Sequence, residues 1–475
     1  MSESHAAGRR TTVIVITVIL LASAAAAAYI VWPRSPKATS TSAISVVTAP
    51  PTIDAVDPPI PVPAAEIKPI AIAAGKAPTA AGIAKILKPV LANAGLSRYT
   101  GTVVDPANGK VLWNVGSTTA SQPGSTAKLL TGAALLTKVK PTERFVTTIV
   151  RGPKDGDVVF VGGGDVTLSA RSTGVATVYP GAATVAQLAA QVASSGYKVK
   201  QIYVDTRYWT GNDMADGWDP TDIQQGFTTR MQALMVDGDR TDPAKEASPR
   251  TGAPAVTAGK ALARALGDAN LPVSAGNAPK GATVLATVSS QPMSVLLSQA
   301  LLNSDNVLAE ALARQVSIAS GGAPSFEGAA QAITYALKDL ALDTVGLTLA
   351  DGSGLSHRDM APTSLLGAVM TMAVSGKVPV LRGLLAGLPV AGVTGTLSKA
   401  EGRFAAPQSK AGVGWVRAKT GTIDFTYALV GYVPDVDGRI LVFALNSNGV
   451  FSSGPHPTRP AQDAFSAALR TCGCS

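Results

Sequence analysis

Two turn-punctuated runs at opposite ends of this 475-residue chain constrain its fold more than any other feature. Residues 98–116, RYTGTVVDPANGKVLWNVG, read as two strands joined at Asp105–Gly109, where Pro106, Asn108 and Gly109 supply turn chemistry. Residues 414–448, GWVRAKTGTIDFTYALVGYVPDVDGRILVFALNSN, read as three more strands, with a second turn at Asp435–Gly438. Strands from both ends are expected to share one antiparallel sheet. Helical runs lie between them, and PAQDAFSAALR closes the chain as an amphipathic helix. Between about residues 147 and 282 the texture changes. It becomes strand-like, glycine-broken and richer in aspartate (VFVGGGDVTLS, then YVDTRYWTGNDMADGWDPTD), which predicts an inserted β-rich second domain.

The first 79 residues fall outside that plan. A short tail (1–12) precedes residues 13–32, VIVITVILLASAAAAAYIVW, which carry no charge. As a helix, about 20 apolar residues reach across the hydrocarbon core of a membrane. Two readings compete: a signal peptide cut in the alanine run, or an uncleaved transmembrane anchor. Tyr29 to Trp32 extend the apolar stretch and favour the anchor, with Trp32 suited to the interface. Residues 33–79 are rich in proline and alanine and read as an extended spacer. The remainder divides into a core of 80–146 plus 283–475 and the insert of 147–282.

With 46% hydrophobic and only 15% charged residues, the chain has ample material for a core and is not a disordered one. A net charge of +9 without any lysine or arginine run gives no nucleic-acid patch. The three histidines are scattered and H-E-x-x-H is missing, so no metal or cofactor is expected. The only cysteines, Cys472 and Cys474, either close a small strained disulfide or stay free in a frayed tail.

Chemistry concentrates in three short motifs. In QPGSTAKLLTG, Ser125 and Lys128 stand at i and i+3, on one face of a helix start. Free backbone N–H groups and the positive dipole end lie beside such a serine. A neutral lysine in reach can take its proton if burial or a neighbouring cation lowers the lysine pKa. The pattern alone is weak. A second copy, Ser195 and Lys198, lies where a helix ends and a strand begins, so no helix holds the pair together. Two further pieces add weight: Ser304-Asp305-Asn306 in a break between helical runs, and Lys419-Thr420-Gly421-Thr422 on an edge-like strand. Ser-x-x-Lys, Ser-Asp-Asn and Lys-Thr-Gly, in that order, form the set found in serine β-lactamases and penicillin-binding proteins.

On these motifs, from about Ala80 to the C-terminus, the chain resembles the class C low-molecular-mass penicillin-binding proteins, the D-Ala-D-Ala carboxypeptidase/endopeptidase family. GGGDVTL (162–168) is similar to that family's GGGDPTL, with Val166 in place of the usual proline. DGSGLSHRD (351–359) is similar to DGSGLSR, with His357 interposed before Arg358; AGVTGTL (391–397) and GYVPD (431–435) also match. The resemblance implies an α/β (α+β) serine β-lactamase/penicillin-binding transpeptidase-like fold, an antiparallel sheet flanked by helices with an insert beside the cleft. It implies peptidoglycan stem peptides ending in D-Ala-D-Ala as substrates, with D,D-crosslinks as a second target, and β-lactams as covalent inhibitors. It implies Ser125 as nucleophile and Lys128 as base. Ser304 relays a proton to the departing amine, Lys419 depresses the Lys128 pKa, and Asn306 orients Lys128 and the peptide. The Ser125 and Thr422 amides form an oxyanion hole. Thr420, Gly421 and Thr422 hold substrate, and Arg358 is a candidate for a side-chain carboxylate, with an ordinary surface arginine as the alternative. Trp209 and Asp213 are further candidates for the cleft. Asp165 reads as a turn residue. Asp213, Asp216, Asp219 and Asp222 recur every three residues, which is not a calcium-loop spacing. Peptidoglycan lies outside the cytoplasm, so the expected location is the extracytoplasmic face of the plasma membrane. The rivals are a β-lactamase or esterase on the same scaffold and a non-catalytic cell-wall-binding protein.

Overall fold

The computed structural model of the chain describes residues 76–449 and 458–473. The expected membrane segment at 13–32 and nearly all of the spacer lie outside the described residues. Among the described residues, no single helix is long and apolar enough to cross a membrane.

The strands from the two chain ends do form one sheet. Its order is Arg417–Ile423, Thr426–Pro434, Ile440–Asn448, Arg98–Asp105, Lys110–Val115, with every neighbouring pair antiparallel. Strand alternation sorts its side chains onto two buried faces. Along Ile440–Asn448, Leu441, Phe443 and Leu445 pack with Ile83 and Leu87 of the helix Ala80–Leu91 and with Phe465 and Leu469 of the last helix, Arg459–Arg470. Ile440, Val442 and Ala444 face the other way, into a larger core with the helices Lys128–Lys138, Asn306–Ala319, Phe326–Asp339 and Thr363–Ser375. Both faces being covered explains why this strand reads as a continuous apolar run rather than as an alternation. Cys472 is fully buried against the first of these faces; Cys474 lies outside the described residues.

A second five-stranded sheet occupies the expected insert, in the order Val273–Ala275, Gln201–Asp205, Asp157–Val161, Val146–Arg151, Val284–Ser289. It is mixed. Asp157–Val161 and Gln201–Asp205 run parallel, as do Gln201–Asp205 and Val273–Ala275. Parallel neighbours need a crossover, and the helices Val185–Ser194 and Pro254–Ala265 supply the two crossovers and cover one core of the sheet. The insert is therefore α/β rather than simply β-rich. Its sheet runs from Val146 to Ser289, slightly beyond the expected 147–282. It belongs to the same compact unit as the rest of the described chain.

Candidate active site

Ser125 sits in a single 3-10 turn, Gly124–Ala127, immediately before the helix that Lys128 begins. The turn packs tightly on the edge strand Arg417–Ile423. A Cβ on Gly421 would come 2.5 Å from the Pro123 carbonyl oxygen and 3.3 Å from the Ser125 amide nitrogen. Gly124, at φ +51°, has the Thr422 amide nitrogen 3.1 Å from where its Cβ would be. Two glycines thus let two backbones meet beside the serine, bringing the Ser125 and Thr422 amides to one place.

Lys128 is fully buried, and its Nζ has three partners: Ser125 Oγ at 2.9 Å, Asn306 Oδ1 at 2.6 Å and the Ser353 carbonyl at 2.7 Å. The last two can only accept. A neutral amine has two N–H donors, so both are committed, and its lone pair is left facing the Ser125 hydroxyl. Burial lowers the Lys128 pKa to about 8, against the opposing charges of Asp351, Asp305, Glu310 and Asp359. Lys419, also fully buried, places Nζ 2.8 Å from Ser304 Oγ and 2.9 Å from the Thr420 carbonyl. Burial first, and then the Lys128 charge, hold its pKa well below the ordinary lysine range. Burial is thus the first cause of both lowered values, and the two amines oppose each other's charge.

Ser304 occupies the break between helices Met293–Leu302 and Asn306–Ala319 at φ +57°, left-handed backbone that costs a serine of order 1–3 kcal/mol. Its neighbour Asp305 caps the second helix by accepting from the Leu308 N–H at 2.9 Å. The other Asp305 oxygen accepts from Tyr179 Oη at 2.7 Å and Arg240 Nη2 at 3.0 Å, both contributed by the insert. Burial would raise the Asp305 carboxyl, but Arg240 and Arg250 overcome it and hold it well below the carboxylate range. Asn306 donates its amide to the Phe227 carbonyl at 3.0 Å, again from the insert. Beneath Lys128, Asp351 accepts from the amides of Ser353, Gly354 and Ser356 and from Trp218 Nε1 at 2.6 Å.

Ser125, Ser304, Asn306, Thr420 and Thr422 line one cleft of about 600 Å³. Thr396 joins them, its Oγ1 2.7 Å from Thr420 Oγ1. Asp219, Asp222 and Phe227 from the insert, with His357, Asp424 and Arg459, are among the other lining residues. Arg358 is not among the lining residues; its exposed side chain lies 3.7 Å from Asp216. Trp209 is buried in the core, and Asp213 pairs with Arg230 at 2.9 Å. Asp165 is buried and accepts from the Thr167 amide and hydroxyl, an Asx turn. Among the described residues, no group of three or more His, Cys, Asp or Glu is placed to hold a metal ion. Sequence reasoning missed Tyr179, Trp218, Phe227, Arg240 and Thr396. Trp218, in GWDPTD, carried a readable signal as a large aromatic in a polar loop, and Thr396 lies in the matching AGVTGTL segment; the others carried none.

The sequence profile of the D-Ala-D-Ala carboxypeptidase 3 (S13) family matches residues 83–255 and 240–470. The chain is 42% identical over 402 residues to "Carboxypeptidase DacB" of Mycolicibacterium smegmatis, covering 84% of this chain and 85% of that protein. It is 28% identical over 458 residues to the D-alanyl-D-alanine carboxypeptidase of an Actinomadura species, covering 77% and 80%. Among solved structures, penicillin binding protein 4 (dacB) from Haemophilus influenzae superposes with a TM-score of 0.66 at 19% identity, over 82% of this chain and 97% of that one. That likeness shows a penicillin-binding, β-lactamase-like fold.

Proposed function

Because the chain belongs to the D-Ala-D-Ala carboxypeptidase 3 (S13) family, we propose that it is a serine-type D-alanyl-D-alanine carboxypeptidase whose acyl-enzyme forms on Ser125, with cleavage of D,D-crosslinks as a second use of the same site. The observation that carries the mechanism is the trio of partners on Lys128 Nζ, which leaves a neutral amine's lone pair to the Ser125 hydroxyl.

Ser125 Oγ attacks the carbonyl carbon between the two terminal D-alanines, and its proton passes to Lys128 Nζ. A positioned base of this kind supplies about 10²–10⁴-fold. The oxyanion that develops accepts from the Ser125 and Thr422 amides, and one such donor is worth about 10²–10³-fold. As the C–N bond breaks, the departing amine takes a proton from the Ser304 hydroxyl; Lys419 Nζ, 2.8 Å away, replaces it, and the proton that Lys128 took from Ser125 restores Lys419. Water then attacks the ester and releases the shortened peptide. The Thr420, Thr422 and Thr396 hydroxyls suit the terminal carboxylate, and Asn306 orients Lys128. On this reading the protein works outside the cytoplasm, where peptidoglycan lies, with residues 13–32 as its anchor.

Mass spectrometry of defined muropeptides incubated with the full-length protein tests the reading. Loss of one alanine per pentapeptide is expected, and splitting of crosslinked dimers reports the second activity. Ser125→Ala should abolish both and also covalent labelling by a β-lactam. Unchanged labelling of Ser125→Ala would move the nucleophile elsewhere.

A further inference from the structure

We propose that Glu310 is a positioning residue for Lys128: it anchors the loop whose Ser353 carbonyl clamps the lysine and supplies the negative charge against which the lysine receives the nucleophile's proton. The proposal rests on Lys128 being the base for Ser125.

Glu310 lies one turn after Asn306 on the helix Asn306–Ala319 and is fully buried. Both residues act on the same amine. Asn306 does so directly; Glu310 does so through the loop Asp351–Gly354, holding its Asp351–Gly352 peptide two units before the carbonyl that meets the lysine. The Glu310 carboxyl accepts from the Gly352 N–H at 2.6 Å. The Gly352 carbonyl accepts from Thr131 Oγ1 at 2.6 Å, on the helix that Lys128 begins. The Ser353 carbonyl then accepts from Lys128 Nζ at 2.7 Å. Gly352 admits no side chain, since a Cβ there would meet the Ala313 Cβ at 2.3 Å.

The charges around Lys128 leave Glu310 a part that the other acids cannot take. Asp351 is saturated by four donors, three amides and the Trp218 indole. Asp305 is offset by Arg240 at 3.0 Å. Burial and then Asp351 push the Asp359 carboxyl well above its ordinary range, which weakens it as a counter-charge. Glu310 keeps one oxygen, Oε2, with no hydrogen-bond partner among the described residues. Burial and then Asp351 push its carboxyl up to about 8, while Arg314 and Lys128 pull it down. Arg314, one turn further along, lies over the Phe326 ring at 4.1 Å and near the Trp209 ring at 5.1 Å, with Glu327 of the next helix as its other acid. No ion pair within 4.0 Å joins Arg314 to Glu310 among the described residues, so the carboxylate is not consumed by the guanidinium. Lys128 and Glu310 thus titrate in one range as an interacting pair. A cation arising on Lys128 in this dry site is costly unless an anion faces it.

Glu310→Gln separates clamp from charge, because the amide keeps an oxygen for the Gly352 N–H and loses the ionisation. Glu310→Ala removes both. The readout is the second-order rate of acylation by a β-lactam across the neutral and alkaline range, alongside a thermal melt. Glu310→Gln should move the acid limb down by about 1 pH unit, because Lys128 loses a charge that favours its protonated form. The same loss should lower the plateau about tenfold, the value of one pKa unit. Glu310→Ala should lower the plateau further and melt earlier. Folded Glu310→Gln protein with the wild-type limb and plateau would overturn the proposal. If that variant fails to fold, infrared spectra of the wild type decide. A protonated-carboxyl band that changes on acylation supports the coupling, and bands that stay constant overturn it. Persistent labelling of Ser125→Ala is a different failure, one that removes the base–nucleophile reading itself.

Discussion

Arg240→Met should destabilise the protein by about 3–5 kcal/mol, the cost of stranding one member of a buried ion pair. Asp305 and Arg240 are 5% and 4% exposed, so water screens neither. Without the guanidinium, the Asp305 carboxylate keeps Tyr179 Oη at 2.7 Å and the Leu308 amide at 2.9 Å, but loses its 3.0 Å charge-assisted bond. Methionine fills most of the arginine volume, so the loss is electrostatic rather than a cavity. Against a total stability of about 5–15 kcal/mol, the midpoint of urea unfolding should move far while the slope stays constant. Tyr179→Phe removes the hydroxyl that donates to Asp305 and accepts from Arg240 Nη1 but leaves the ion pair itself, and should cost less, about 1.5–3 kcal/mol. The two changes should not add, since they share one carboxylate. The effect should reach the chemistry as well. Asp305 lies between Ser304, held at φ +57°, and Asn306. The rate of β-lactam labelling should therefore fall at temperatures where the variant is still folded. Arg358→Met is the control. Its side chain is 68% exposed and 3.7 Å from Asp216, so it should cost about 0–1 kcal/mol. An Arg240→Met variant within about 1 kcal/mol of wild type would refute the view that the insert locks the Ser-Asp-Asn turn electrostatically.

Two further outcomes follow from the site. Lys128 must be neutral to accept a proton and its pKa is lowered to about 8, so acylation should rise with pH through that value and fall about tenfold per unit below it; a pH–rate profile showing no limb there would contradict the assignment of the base. Gly421→Ala would drive a Cβ to 2.5 Å from the Pro123 carbonyl and part the Ser125 and Thr422 amides. Acylation should drop about 10²–10³-fold, the worth of one oxyanion donor, and stopped-flow labelling within threefold of wild type would show that the two amides do not act together.

Local physics wrote the frame of this protein into its sequence. The hairpin turns at Asp105–Gly109 and Asp435–Gly438, the strand periodicity on either side and the i, i+3 spacing of Ser125 and Lys128 need only neighbours within a few residues. They sufficed to anticipate a sheet shared by both chain ends and an edge strand bearing Lys419 to Thr422. Distant partners decided the rest. The indole of Trp218 meets Asp351 across 133 residues, Tyr179 meets Asp305 across 126, and Phe227 meets Asn306 across 79. No window of sequence registers such pairs. Nor does sequence disclose which groups keep their charge. That depends on how much water each has lost and which ions face it, and so burial stands first among the causes that lower both Lys128 and Lys419. The parallel strands of the insert were hidden for a similar reason, because a crossover becomes visible only when both strands it joins are in place.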